Sequence, residues 1–169
     1  MEGVWLLLAA GIGYVASALQ QWLADRRLDE REQRTRVALR VEQQSDRREA
    51  FQRETLLALQ DALRRLSRAT GAIQHLDVMH HRTTREPYAR QQLDEEWNQK
   101  YQLAIVDVQM FTVRVMDDDL RHRINDLLDH VSAVISAPSE SEAKASLDAG
   151  VTLSMELNKR IGELLRSVY

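Results

Sequence analysis

The spacing of apolar residues changes character along the chain. From Gly3 to Ala24 there are 22 residues without a charge, and Val4 to Leu19 is almost wholly apolar. Between Asp25 and Glu54 the apolar positions thin out, and Leu28, Val37, Leu39 and Val41 share no common stripe. A seam then begins. Leu56, Leu59, Leu63, Leu66, Thr70 and Ile73 alternate steps of three and four, the period of a packed helix–helix interface. Trp97, Tyr101, Ala104, Val108, Phe111 and Val115 repeat that spacing, as do Leu120, Ile124, Leu127, Leu128, Val131 and Ile135. A last run presents Leu147, Leu157, Ile161, Leu164 and Val168.

Helix punctuation falls between these runs. Pro87 suits the first turn of a new helix. Asp117, Asp118 and Asp119 supply capping and dipole-favourable carboxylates for the next. Ala137-Pro138 stops that helix, and Ser139 with Glu142 has the spacing of a capping box for the last. No Gly or Pro interrupts Tyr14 to Thr70, so nothing local forces a break there. The pattern predicts an all-α protein: an anchor at 1–24, a charged helical stalk at 25–54, and a bundle at 55–169. The bundle helices are expected at about 55–83, 87–116, 119–136 and 140–168, the third being the shortest. Short connections make neighbouring helices antiparallel, giving an up-down four-helix cytoplasmic bundle.

The uncharged run is long enough to span a bilayer. At 1.5 Å per residue it reaches about 33 Å, against a hydrocarbon core of about 30 Å. Trp5 and Trp22 bracket it at positions suited to the two headgroup boundaries. Arg26 and Arg27 follow at once, then Arg31, Arg34, Arg36 and Arg40, whereas only Glu2 and the terminal amine precede it. By the positive-inside rule the chain is a single-pass protein of the cell membrane, its N-terminus outside and its bundle cytoplasmic. A cleaved signal peptide is the rival reading, since Ala16-Ser17-Ala18 fits a cleavage site. The missing basic n-region and the arginines directly after the run oppose it. Ala9, Gly13 and Ser17 recur every four residues, a small-residue face on which two anchors can pack.

Composition narrows the function. In the stalk 17 of 30 residues are charged, nine arginines against eight acids. Many are paired at i,i+4, as in a solvated helix and unlike a basic membrane-surface helix. With no cysteine there is no disulfide framework, thiolate zinc site or cysteine nucleophile, and a net charge of -3 argues against nucleic acid as a partner. The sequence holds no phosphate-cradling glycine loop, Gly-x-Ser-x-Gly, His-Glu-x-x-His or EF-hand motif. Neither catalysis, a cofactor nor a small-molecule substrate is therefore expected. The high ratio of arginine to lysine hints at a bacterial origin.

Two polar constellations remain. The first seam runs on into Asp77, His80 and Thr84, and a hairpin at 85–86 would bring Asp94 opposite Asp77, with His130 approaching from the third helix. Inward carboxylates and imidazoles are how bundles hold metals, so Asp77, His80, Asp94 and His130 are candidate ligands. The ferritin-like Glu-x-x-His pattern is absent, however, and a bundle end fraying into solvent accounts for the same residues. The second constellation is the i,i+4 ladder Asp118, His122, Asp126 and His130, which points away from the Leu120 and Ile124 face. From Glu86 to His130 there are ten acids against five bases. Asp94, Glu95, Asp118, His122 and Asp126 are thus the expected partner surface. The chain reads as a membrane-anchored scaffold, adaptor or accessory subunit contacting the lipid bilayer and a protein partner. The alternative is a self-assembling coiled-coil-like stalk, which in outline resembles the peripheral-stalk subunits of rotary ATP synthases in architecture alone.

Overall fold

The computed structural model describes the backbone of residues 2–88 and 95–167, and the side chains of 33–88 and 95–167. Four helices follow one another: α1 (Glu2–Thr84), α2 (Glu95–Thr112), α3 (Asp118–Ser136) and α4 (Glu140–Ser167). Among the described residues there is no strand. The chain divides into two units, Met1–Arg48 and Glu49–Tyr169. In the first, residues 33–48 are exposed all round, including Val37, Leu39 and Val41. That is what sparse apolar positions among alternating charges dictate. Among the described residues no helix is long and apolar enough to cross a membrane. The expected span, with Trp5, Trp22, Arg26, Arg27 and the Ala9, Gly13, Ser17 face, lies outside the residues whose side chains are described.

The second unit is a four-helix bundle whose direction can be read from cross-links. The Gln52 side chain holds the turn after α2, its amide donating to the Arg114 carbonyl at 2.9 Å and its oxygen accepting from Met116 N–H at 3.2 Å. Further along α1, Arg65 meets Asp107 at 2.9 Å, an earlier residue of α2, so the two helices are antiparallel. Gln60 donates to Asn158 at 3.1 Å, and Arg82 reaches Glu140 at 2.5 Å, so α4 also runs opposite to α1. Asp117 with Arg160 and Arg123 with Glu156 show the same for α3 and α4. The order is up, down, up, down.

All four helices feed one core. Leu59, Leu63, Leu66 and Ile73 of α1 meet Tyr101, Ala104 and Val108 of α2, Leu120, Ile124, Leu127 and Val131 of α3, and Leu157 and Ile161 of α4. The seam spacing in the sequence marks these faces, while Val168 lies outside the described residues. Two boundaries differ from expectation. Pro87 sits in a non-helical connection, and α2 is described only from Glu95. Its far end is Thr112, short of residue 116, because the chain must turn there into α3.

Helix starts follow the predicted chemistry. The Asp117 side chain accepts from Leu120 N–H at 2.7 Å as the N-cap of α3. Its other oxygen accepts from Arg160 at 2.6 Å, which ties this cap to α4. Burial alone would raise the Asp117 carboxyl, but the Leu120 hydrogen bond and the Arg160 and Arg121 guanidinium charges outweigh it and hold the pKa below the ordinary value. At the start of α4, Glu142 N–H donates to Ser139 Oγ at 3.3 Å, and that hydroxyl donates to the Glu142 carboxylate at 3.0 Å. The end of α1 is closed by Arg85, in the left-handed region at φ 60°, whose N–H donates to the His81 carbonyl at 2.9 Å.

Two stability measurements test this arrangement. Leu59→Ala removes a side chain with no solvent exposure and is expected to cost about 2–5 kcal/mol in denaturant unfolding, whereas Val37→Ala should stay within about 0.5 kcal/mol. Asp117→Ala should cost about 1–2 kcal/mol, and Asp117→Asn less, because an amide still caps. Since the folded carboxyl pKa is depressed, its contribution is present above the unfolded value of about 3.9 and is lost as pH falls through the folded value. The Asn variant should show a weaker loss of stability over that acid range than the wild type.

Candidate interaction surface

The expected partner residues fall on two helices. On α3, Asp118, His122 and Asp126 are exposed together with Asn125 and Asp129, because Leu120, Ile124, Leu127 and Val131 take the opposite side of the helix into the core. Asp118 is ion-paired with Arg121, and Asp119 with Arg123 at 2.9 Å, so both arginines of α3 are engaged within its first turns. Shallow clefts flank this face. One of about 380 Å3 lies toward α2, where Gln109, Thr112 and Val113 face Asp118, Arg121, His122 and Asn125. Another of about 560 Å3 lies toward α4, where Asp126, Asp129 and His130 face Ala149, Thr152, Leu153 and Glu156. Glu95 is exposed in the first turn of α2, while Asp94 lies outside the described residues.

Of the candidate metal ligands, Asp94 lies outside the described residues, and His130 is not placed with Asp77 and His80. Among the described residues no three His, Asp or Glu side chains are placed to share an ion. Instead His130 stands beside Gly150, whose Cα hydrogen points at its Cβ, in the middle of α4. Thr70, Leu127 and Gly150 line one cavity, and His80 lies ten residues beyond Thr70, about 15 Å along α1. His80 Nε2 instead approaches the Glu86 carboxylate at 3.2 Å, and His81 Nδ1 donates to the Glu86 carbonyl at 2.6 Å. Both imidazoles thus strap the connection after α1 onto its last turn.

Nor does the end of the bundle fray at Asp77. That residue is 4% exposed, and Tyr88 folds back to 6% exposed against Val78, Ala137 and Ala143. The aromatic ring, absent from any helical pattern, seals the α1 end over the α3–α4 connection. Its hydroxyl is buried with no hydrogen-bond partner among the described residues. Burial, followed by the nearby Asp77 and Glu140 carboxylates, pushes the Tyr88 pKa up and keeps the phenol neutral.

The structure adds a feature that the helix-by-helix reading passed over. Leu103, Val106 and Met110 on α2, with Val113 just past its end, are 58%, 57%, 42% and 80% exposed. They lie opposite the buried Tyr101, Ala104 and Val108. Their steps of three, four and three are visible in the sequence, but the parallel run from Trp97 to Val115 has the same period and accounts for the helix by itself. A half-open cleft of about 230 Å3 also lies between α1, α3 and α4, lined by Ser67, Thr70, Leu127, Val131, Gly150 and neighbouring residues of α4. Its wall is largely apolar, with small hydroxyls from Ser67, Ser146 and Ser154. Thr70 and Ser67 donate those hydroxyls to their own helix at 2.9 Å.

No family model matches the chain, and no curated protein or solved structure is detectably similar to it. Geometry and chemistry alone therefore carry the functional reading.

The Tyr88 hydroxyl gives a direct check on this end of the bundle. A buried donor without a partner is costly, so Tyr88→Phe should leave stability unchanged or raise it by about 1 kcal/mol. A loss of that size in denaturant unfolding would mean that the hydroxyl is hydrogen-bonded. Tyr88→Ala should destabilise, because it uncovers Val78 and Asp77.

Proposed function

We propose that the chain is a single-pass, membrane-anchored helical scaffold or adaptor, an accessory subunit that acts through protein–protein contacts. The observation that carries this reading is the outward face of α3, where Asp118, His122, Asn125, Asp126 and Asp129 stand exposed between two open clefts. Such a face offers a large polar footprint for another protein. Support for the anchor comes from the uncharged run Gly3–Ala24, from Trp5 and Trp22 near its ends, and from the arginines that follow. The mechanism is positional. Residues 3–24 confine the chain to the bilayer with the bundle on the cytoplasmic side, the charged residues 25–54 act as a solvated stalk, and the α3 face recruits the partner. At the α4 side Asp126 and Asp129, which form no ion pair among the described residues, favour a basic complement.

Both halves of the proposal are testable in cells. A chain without native cysteine allows single-site labelling. Glu2→Cys should react with an impermeant maleimide on intact cells and Ser141→Cys should not; the reverse pattern would overturn the orientation. After gentle cross-linking in native membranes, the full chain should copurify a defined protein in fixed ratio. Asp118→Lys with Asp126→Lys should reduce that recovery at least tenfold at unchanged expression. Equal recovery from the double variant would remove α3 as the partner surface.

A further inference from the structure

Helix α2 has two apolar faces and can turn only one of them into the bundle. Tyr101, Ala104 and Val108 are buried on one side, while Leu103, Val106, Met110 and Val113 remain exposed on the other. A helix apolar on opposite sides is suited to burial from both. The outer residues follow steps of three, four and three, so Leu103 and Met110 take heptad a positions and Val106 and Val113 take d positions. Gln99 is the d position one heptad earlier, also exposed.

Charges beside the seam indicate what covers it. On the flank toward α1 are Lys100, Asp107 and Arg114, the e positions; on the flank toward α3 are Glu95, Gln102 and Gln109, the g positions. Asp107 is bonded to Arg65 of its own α1, and Lys100 to Glu96 of its own helix. The flanks are thus close to neutral and present no field that calls for a strongly acidic or basic helix. They are complementary to themselves in one direction only. If a second α2 lies parallel, g faces the following e, which sets Glu95 against Lys100 of the second copy, Gln102 against Asp107 and Gln109 against Arg114, with no like charges opposed on the flanks. At the end of the seam Glu96, the a position before Leu103, meets its own copy, each paired with Lys100 of its own helix. If it lies antiparallel, with Leu103 against Val113 and Val106 against Met110, e faces e. Asp107 then meets Asp107, and Lys100 meets Arg114.

We propose that a second copy of this chain covers the outer face of α2, forming a parallel two-fold dimer through Leu103, Val106, Met110 and Val113. A two-fold contact of this kind is closed, so association stops at two. Because α1 is antiparallel to α2 within each bundle, both copies receive α1 at the same end of the dimer. Two chains held in one membrane require that arrangement, although the α2 pairing does not itself depend on the anchor or on the α3 partner face. The contact is one helix pair and is small for a specific interface, so the dimer is concentration-dependent.

Full-length protein in mild detergent, carrying Gln99→Cys as its single cysteine, tests the pairing with a short bifunctional maleimide. Parallel α2 helices bring the two sites side by side, and most of the protein should cross-link to a dimer. In the antiparallel register the two sites lie about 27 Å apart along the axis and cannot be bridged. Ala149→Cys, on the exposed side of α4, should give at least tenfold less dimer. Adding Leu103→Glu and Met110→Glu, both at exposed positions, should reduce the Gln99→Cys cross-link at least tenfold at unchanged helicity. A monomeric Gln99→Cys protein, or a cross-link that survives both glutamates, would overturn the proposal. So would a dimer seen by sedimentation that persists in the double variant, since association would then run through another surface such as the Ala9, Gly13 and Ser17 face.

Discussion

The bundle is organised around the one apolar stripe on α1. Leu59, Leu63, Leu66 and Ile73 have almost no solvent exposure, and no arrangement of a single helix in water can achieve that. Covering them requires three further helices, and each supplies an amphipathic face of matching period. Burial of these side chains is the dominant favourable term, at roughly 1.5–3 kcal/mol for each large aliphatic group. The exposed ion pairs between helices, such as Arg65–Asp107 and Arg123–Glu156, contribute little by comparison. Their use is in register: each can form only if the helices are antiparallel at one particular offset.

The helices differ in which faces they leave exposed once the core is built. α3 spends its apolar residues on the core and shows water a polar face. α4 does much the same, apart from Val151 and Met155, which stand exposed at the half-open cleft next to α1. Alone among the three shorter helices, α2 presents a continuous outer apolar row at heptad spacing. The two remaining surfaces are therefore chemically distinct and lie side by side, since Val113 of the apolar row borders the same cleft as Asp118 and His122.

Much of the bundle was legible from periodicity and capping. The Leu56–Ile73 seam, the cores of the later helices, the Asp117 cap and the Ser139–Glu142 pair all rest on interactions within a few residues, which local sequence specifies directly. The second helix does not begin at Pro87, because proline permits a helix start without compelling one, and it ends before residue 116 because Gln52, 62 residues away from Arg114, holds the turn that follows it. The metal candidates illustrate the same division. Asp77 and His80 are close in sequence, but whether His130 joins them depends on the register of α3 beside α1: Ala137, just past the end of α3, packs with Val78, while His130 lies nearly two turns earlier, beside Gly150.

By itself the sequence determined that the chain is helical, where most helices lie, and which residues on α1, α3 and α4 turn inward, because an amphipathic helix has only one face to bury. It also determined the uncharged run and the charged stretch that follows, which are properties of composition. Only the tertiary structure decided which of the two apolar faces of α2 is core and which is surface. Both have the same period, and the choice belongs to the neighbouring helices. It also decided that Tyr88 closes the end of the bundle over Asp77, a contact between residues that no helical repeat relates. Local pattern specifies the faces of each helix, and packing between distant segments decides which of them meet.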